Sequence, residues 1–228
     1  MDWRDNMSSE FHIFTGHFGS GKTEVALNFA KKKANEGKKV TIIDLDIVNP
    51  YFRTADAKKM LAENNIRLIA SEFANSNLDM PTVAPEIMSV FYAPDSVVVF
   101  DVGGDEDGAF ALGQYNRFFQ KENCSMYLVV NTKRPLTSST KELADMASVI
   151  ERASRLKFTG IVNNTNLGAL TDETTLMSDY DEISALEKET GIPVVMHSGL
   201  PKALKGLPEE LQYLAFAMEI TIKMPWQI

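Results

Sequence analysis

A lysine next to a hydroxyl residue, directly behind a glycine-rich turn, is a combination that can hold a polyphosphate. Residues Gly16-His17-Phe18-Gly19-Ser20-Gly21-Lys22-Thr23 have it in full, as Gly-x-x-x-x-Gly-Lys-Thr. The glycines let the backbone curl so that successive N–H groups converge on phosphate oxygens. Lys22 would then reach the β- and γ-phosphates, and the Thr23 hydroxyl would take a place on a Mg²⁺ ion. The competing reading is a structural glycine turn. It is weakened by context, because an apolar run from Phe11 to Thr15 precedes the loop and a helix-forming stretch from Lys22 follows it. A helix starting there aims its positive end at the same anion.

Carboxylates follow at two more apolar runs. Val40-Thr41-Ile42-Ile43-Asp44-Leu45-Asp46 ends with two acids spaced to face the same way from a strand. Asp46 is expected to orient the attacking water for in-line displacement, and Asp44 to order the water shell of Mg²⁺. The alternative for Asp46 is a turn or cap ahead of Asn49-Pro50. In Val97-Val98-Val99-Phe100-Asp101-Val102-Gly103-Gly104, four apolar residues carry Asp101 to a sheet edge, where it can hold a Mg²⁺ water. Gly104 can then offer an N–H to the γ-phosphate and release it after hydrolysis. The acidic run Asp105-Glu106-Asp107 would repel a triphosphate unless it turns outward, which suits a switch or partner surface better than a set of metal ligands. The expected chemistry is ATP hydrolysis, with Lys22 and Asp46 as the catalytic pair and Thr23, Asp44 and Asp101 around the metal.

The base is read elsewhere. Guanine-specific sites use Asn/Thr-Lys-x-Asp, and in Asn131-Thr132-Lys133-Arg134-Pro135 a proline stands where the carboxylate is needed. Adenine can be held by an amide and loop backbone, for which Asn163, Asn164 and the loop His197 to Pro201 are candidates. ATP with Mg²⁺ is therefore the expected ligand.

The elements that must position these groups alternate. Apolar runs at 11–15, 40–43, 66–70, 97–100, 126–130, 158–162 and 192–196 are mostly continuous, as in strands covered on both faces. Helical stretches fall at 22–35, 85–91, 109–121, 137–155 and 172–190, with a closing helix over 208–220. This order predicts a single α/β domain, 11–228, after a flexible N-terminus, 1–10. Its core would be a doubly wound, mostly parallel sheet with helices on both faces. Asp44, Asp101, Asn131, Asn163 and His197 all fall near the carboxyl ends of strands, where such sheets bind ligands. The region 72–85 has no clear element and reads as a lid or partner surface.

Bulk properties narrow the partners. A net charge of −8 over 228 residues works against non-specific DNA binding, since the Lys31-Lys32-Lys33 and Lys38-Lys39 clusters flank a helix and suit its solvated end. No apolar run approaches the roughly 20 residues of a membrane span, and the stretch 211–222 lacks the basic face of a membrane-targeting helix. No membrane anchor is expected. One cysteine, Cys124, excludes an internal disulfide and fits a buried thiol in a reducing cytoplasm. Trp226, in the tail, suits either an exposed contact or a docking residue.

Taken together, the loop Gly16–Thr23, the pair Asp44/Asp46, the Asp101-Val102-Gly103-Gly104 segment and Asn163-Asn164 resemble the MinD/ParA/CobQ/CobB-type P-loop nucleotide-binding proteins. The likeness runs from about Phe11 to Phe216, and Asp46 to Arg53 looks like a bacterial ATP-binding branch of that group. The resemblance implies a doubly wound P-loop NTPase fold and often a nucleotide-dependent homodimer. It matches Asp46 to the switch I catalytic acid and Asp101 to the Walker B acid. Many members carry a signature lysine after the first loop glycine, where this chain has His17. Arg53 and Arg117 are the candidates to supply the missing charge. Two kinds of function follow as expectations. One is a switch or accessory ATPase acting on a protein partner. The other is an ATP-dependent metabolic enzyme, amidotransferase- or ligase-like or a small-molecule kinase, with Lys133 and Arg134 near an acceptor.

Overall fold

The computed structural model describes residues 9–46, 55–70, 85–119 and 123–221. The strands are β1 (Glu10–Thr15), β2 (Lys39–Leu45), β3 (Arg67–Ala70), β4 (Ser96–Val102), β5 (Cys124–Val130), β6 (Gly160–Asn163), β7 (Val194–Gly199) and β8 (Ala215–Ala217). They form one sheet in the order β3-β2-β4-β1-β5-β6-β7-β8, and every pairing is parallel. The expected mostly parallel sheet is thus wholly parallel among these residues. Its helices are α1 (Lys22–Asn35), α2 (Ala55–Glu63), α3 (Pro85–Val90), α4 (Glu106–Gly113), α5 (Thr140–Ser154), α6 (Tyr180–Thr190) and α7 (Pro201–Leu204).

Both faces of the sheet are covered, which is why the strands read as continuous apolar runs rather than alternating ones. On one face Ile13, Ile43, Phe100 and Leu128 pack with Ile87 of α3, Leu112 of α4, Ile150 of α5 and Ile183 of α6. On the other, Phe14, Ile42, Val99 and Val129 pack with Val25, Leu27 and Phe29 of α1, Leu61 of α2 and Phe216. Each such side chain contributes roughly 1.5–3 kcal/mol by leaving water. Local signals set the helix ends. Ser139 and Glu142 form a reciprocal capping box that starts α5, and α6 stops at Gly191 in the left-handed conformation (φ 70°).

Three helical expectations change. The stretch 109–121 is α4 followed by a separate 3-10 turn, Asn116–Phe118. The stretch 172–190 becomes a 3-10 turn, Thr175–Met177, ahead of α6. The closing helix over 208–220 is instead a 3-10 segment, Glu209–Leu214, and the edge strand β8. The reason is the otherwise open edge of β7. His197, Ser198 and Gly199 pair with Ala215, Phe216 and Ala217, giving β7 backbone partners that a helix would not supply. Conversely, α2 arises where no helix was anticipated. The region 72–84, Arg53 and Trp226 lie outside the described residues.

Candidate functional site

The register of the strands assembles the site. Asp44 of β2 and Asp101 of β4 are direct neighbours across the sheet, and Asp101 is next to Phe14 of β1. The chain leaving β1 therefore begins its loop beside Asp101, with Asp44 one strand further along the sheet. Gly16 lies so close to β5 that a Cβ there would meet the Val129 carbonyl at 2.2 Å. Gly21 is the N-cap of α1, at φ 85° in the left-handed region, with no side chain to satisfy the first-turn N–H groups. That leaves the helix start suited to an anion.

Asn164 fixes this turn from the next layer. Its Nδ2 donates to the Ser20 carbonyl at 2.7 Å, and its Oδ1 accepts from Ser198 Oγ at 3.1 Å. A Cβ on Gly21 would fall 2.4 Å from that same Nδ2. Arg134 reaches the loop from beyond β5, donating from Nε to the Gly19 carbonyl at 3.1 Å. From sequence alone Arg134 is expected near an acceptor; the structure sets it against the loop.

The charged centre is compact. Lys22 Nζ lies 2.7 Å from Asp46 Oδ2, with both side chains almost wholly out of water. Thr23 Oγ1 donates to Asp101 Oδ2 at 2.6 Å. Burial alone would lower the Lys22 pKa, but the carboxylates of Asp101 and Asp46 outweigh it and raise it overall. Burial pushes Asp101 up to about 6, against the opposing pull of Lys22 and Thr23. Asp44 Oδ1 accepts the Asp46 N–H at 3.0 Å and so holds that residue at the strand end. Gly103 and Gly104 lie against the loop. Thr15 Oγ1 donates to the Gly103 carbonyl at 3.2 Å, and a Cβ on Gly104 would meet the Gly16 carbonyl at 2.0 Å. Asp105, Glu106 and Asp107 do turn outward, Asp105 as the N-cap of α4.

Four buried side-chain polar atoms have no hydrogen-bond partner among the described residues: Asn123 Oδ1, His197 Nε2, Ser20 Oγ and Asp101 Oδ1. Ser20 Oγ and Asp101 Oδ1 belong to this cradle. An unsatisfied carboxylate oxygen beside the Thr23 hydroxyl fits a hydrated Mg²⁺, which takes few protein ligands and relies on phosphate and water for the rest. No group of three or more His, Cys, Asp and Glu side chains among the described residues is arranged to hold a metal.

Beside Gly21 opens a cleft of about 140 Å³, lined by Glu24, Asn164, Thr165, Asn166, Leu200, Met218 and Ile220 among others. The structure does not bring Asn163 into it. That residue is fully buried, donating to the Leu176 carbonyl at 3.0 Å and meeting His197 Nδ1 at 3.3 Å. Residues 131–135 do not line the cleft themselves, but Asn131 Nδ2 donates to the Asn166 carbonyl at 3.1 Å and the Thr132 N–H to Thr165 Oγ1 at 3.4 Å. Asp179, the N-cap residue of α6, packs against this segment. It accepts from Thr132 Oγ1 at 2.7 Å and pairs with Lys133 at 2.8 Å, and the Lys133 contact holds it below the usual carboxylate range. His17 Nδ1 donates to the Phe18 carbonyl of its own loop at 3.0 Å. Arg117 lies over the Phe118 ring. The Cys124 thiol is pushed up to about 12 by burial and is a poor metal ligand.

Comparison with known proteins agrees with this geometry. The profile of the family described as "CbiA: CobQ/CobB/MinD/ParA nucleotide binding domain" matches residues 13–196. Among solved structures, the cell division protein FtsY of Thermotoga maritima is 21% identical with a TM-score of 0.58, over 86% of this chain and 64% of that one. FtsY of Mycoplasma mycoides is 18% identical with a TM-score of 0.54, over 86% of this chain and 62% of that one. The present chain thus spans less than two thirds of either FtsY. A nucleotide-binding protein of Archaeoglobus fulgidus, solved in complex with ADP, is 14% identical with a TM-score of 0.54, over 95% and 97% of the two chains. At such identities the likeness is one of fold. A search of curated proteins gave no match.

Proposed function

The chain belongs to the CobQ/CobB/MinD/ParA nucleotide-binding domain family, and from that premise we propose that it is a Mg²⁺-dependent ATPase acting as a switch or accessory factor for a protein partner. The observation that carries the proposal is the cradle itself: Lys22 and Thr23 open α1 beside two buried acids, one of which, Asp101, keeps an oxygen unsatisfied. In this reading Lys22 exchanges Asp46 for the β- and γ-phosphates, so its charge passes from one anion to another. Asp46, held by Asp44, then faces the water that attacks the γ-phosphate. Thr23 and Asp101 would hold Mg²⁺, which would supply positive charge against the phosphates.

Adenine is favoured by the cleft beside Gly21. Its β6 wall is Asn164-Thr165-Asn166, with amides and a hydroxyl but no carboxylate for the guanine N1 and N2 hydrogens. Glu24 also lines it, but its Oε1 is engaged by Asn28 and the Thr221 N–H. A protein partner is supported by exposed apolar side chains around the loop: Phe18 within it, Phe110 on α4, and Leu136, Leu167 and Leu170 beyond β5 and β6. The enzyme alternative loses its best cations, because Lys133 is committed to Asp179 and Arg134 to the Gly19 carbonyl.

Calorimetric titration with Mg·ATP and Mg·GTP, alongside phosphate release, tests the reading. Wild type is expected to bind ATP in preference to GTP and to hydrolyse it slowly. Lys22→Ala should weaken ATP binding by roughly 30-fold or more, as loss of a buried charged partner does. Equal ATP affinity in a folded Lys22→Ala protein would remove the loop from the mechanism.

A further inference from the structure

One side of the cleft beside Gly21 is built by the segment that follows β8, and a single side chain on α1 holds that segment. Met218 still donates to the Gly199 carbonyl of β7, at 2.9 Å. At Glu219 the partner changes. The Asn28 carboxamide accepts the Glu219 N–H at 2.9 Å and donates to the Glu219 carbonyl at 3.0 Å. This two-way pairing is what a neighbouring strand would offer, supplied here by a side chain that is 8% exposed. Asn28 is itself anchored one turn back, donating to the Glu24 carbonyl at 2.9 Å. The Glu219 carboxylate turns outward to Lys31, 2.6 Å away.

Clamping Glu219 by its backbone sends its two neighbours to the opposite side, as alternation along an extended chain requires. Those neighbours, Met218 and Ile220, both line the cleft. Met218 is 7% exposed, whereas Ile220 is 56% exposed, a large apolar surface left at the mouth of the cleft. A flat aromatic ring laid against it would take that surface out of water.

We propose that Asn28 is a positioning residue for the nucleotide base: by pairing with the Glu219 backbone it holds Met218 and Ile220 as the apolar wall on which the purine lies. The inference rests on the nucleotide reading above and adds to it a residue that touches neither phosphate nor base. Its role is to fix where the base sits, so it should affect ligands that carry a base and spare those that do not.

The test compares Mg·ATP with Mg·tripolyphosphate, which has the phosphates without base or ribose. Wild type is expected to bind ATP more tightly than tripolyphosphate. Asn28→Ala should weaken ATP by roughly tenfold, about the effect of losing two hydrogen bonds, and leave tripolyphosphate unchanged. Ile220→Ala, at an exposed position, should lower the same ratio without touching the clamp. Asn28→Gln, which displaces the same amide by one methylene, should also lower it and keeps the test decisive if Asn28→Ala fails to fold. If wild type discriminates but the variants keep its ratio, or lose both ligands equally, the clamp is refuted while the base site stands. If wild type binds ATP no more tightly than tripolyphosphate, the base site falls and the clamp with it.

Discussion

At the scale of single residues the proposed site turns on Lys22. In the structure its ammonium is held by Asp46 at 2.7 Å in near-complete burial. Deleting one partner of such a pair is costly, about 3–5 kcal/mol, because the other charge is left buried alone. A phosphate avoids that cost by replacing one anion with another. The same pair also links binding to catalysis, since Asp46 is the residue proposed to orient water. Asp46→Asn is therefore expected to lower single-turnover hydrolysis by roughly 100-fold or more, within the usual range for a positioned base. ADP affinity should hold or rise, because Lys22 no longer has a carboxylate to leave. Undiminished hydrolysis would take Asp46 out of the mechanism.

At the scale of elements, the site depends on two backbones meeting, those of the loop after β1 and the segment after β4. Gly104 is where they touch, and a Cβ there would sit 2.0 Å from the Gly16 carbonyl. Neither backbone can yield as a flexible side chain would. Gly104→Ala should thus weaken nucleotide binding at least tenfold and cost about 1–3 kcal/mol of stability, as overpacking does; titration and chemical denaturation would show both. The strands that lead to this contact were legible in the sequence because each is a short apolar run buried on both faces. Residues 208–220 carry an amphipathic pattern that reads as a helix, whereas their conformation is decided by the open edge of β7. The Asn164 contact with the loop was also out of reach, since its partner, Ser20, lies 144 positions away.

For the whole molecule, a fully covered parallel sheet buries polar groups together with apolar ones. His197 of β7 is fully buried and its pKa is lowered to about 4 by burial. Its ordinary value is 6.5, so between pH 6.5 and 4 the unfolded chain binds a proton that the folded protein does not. Stability from this group is complete above pH 6.5 and is lost as pH falls toward 4, by up to about 3 kcal/mol. Urea unfolding across that range should show the loss, and His197→Gln should flatten it. No helix among the described residues is long and apolar enough to cross a membrane.

The sequence by itself determined the phosphate loop, the acids at the ends of β2 and β4, and the alternating α/β order. Each is a contiguous pattern whose meaning depends on residues a few positions apart. Only the tertiary structure decided that Asn164 rather than Asn163 reaches the cleft, that Asp179 takes up Lys133, and that Asn28 pairs with Glu219. These contacts join residues tens to nearly two hundred positions apart, and they exist because the strand order sets distant strand ends side by side. The loop was readable because its geometry is local. The cleft beside it was not, because its walls come from parts of the chain that only folding brings together.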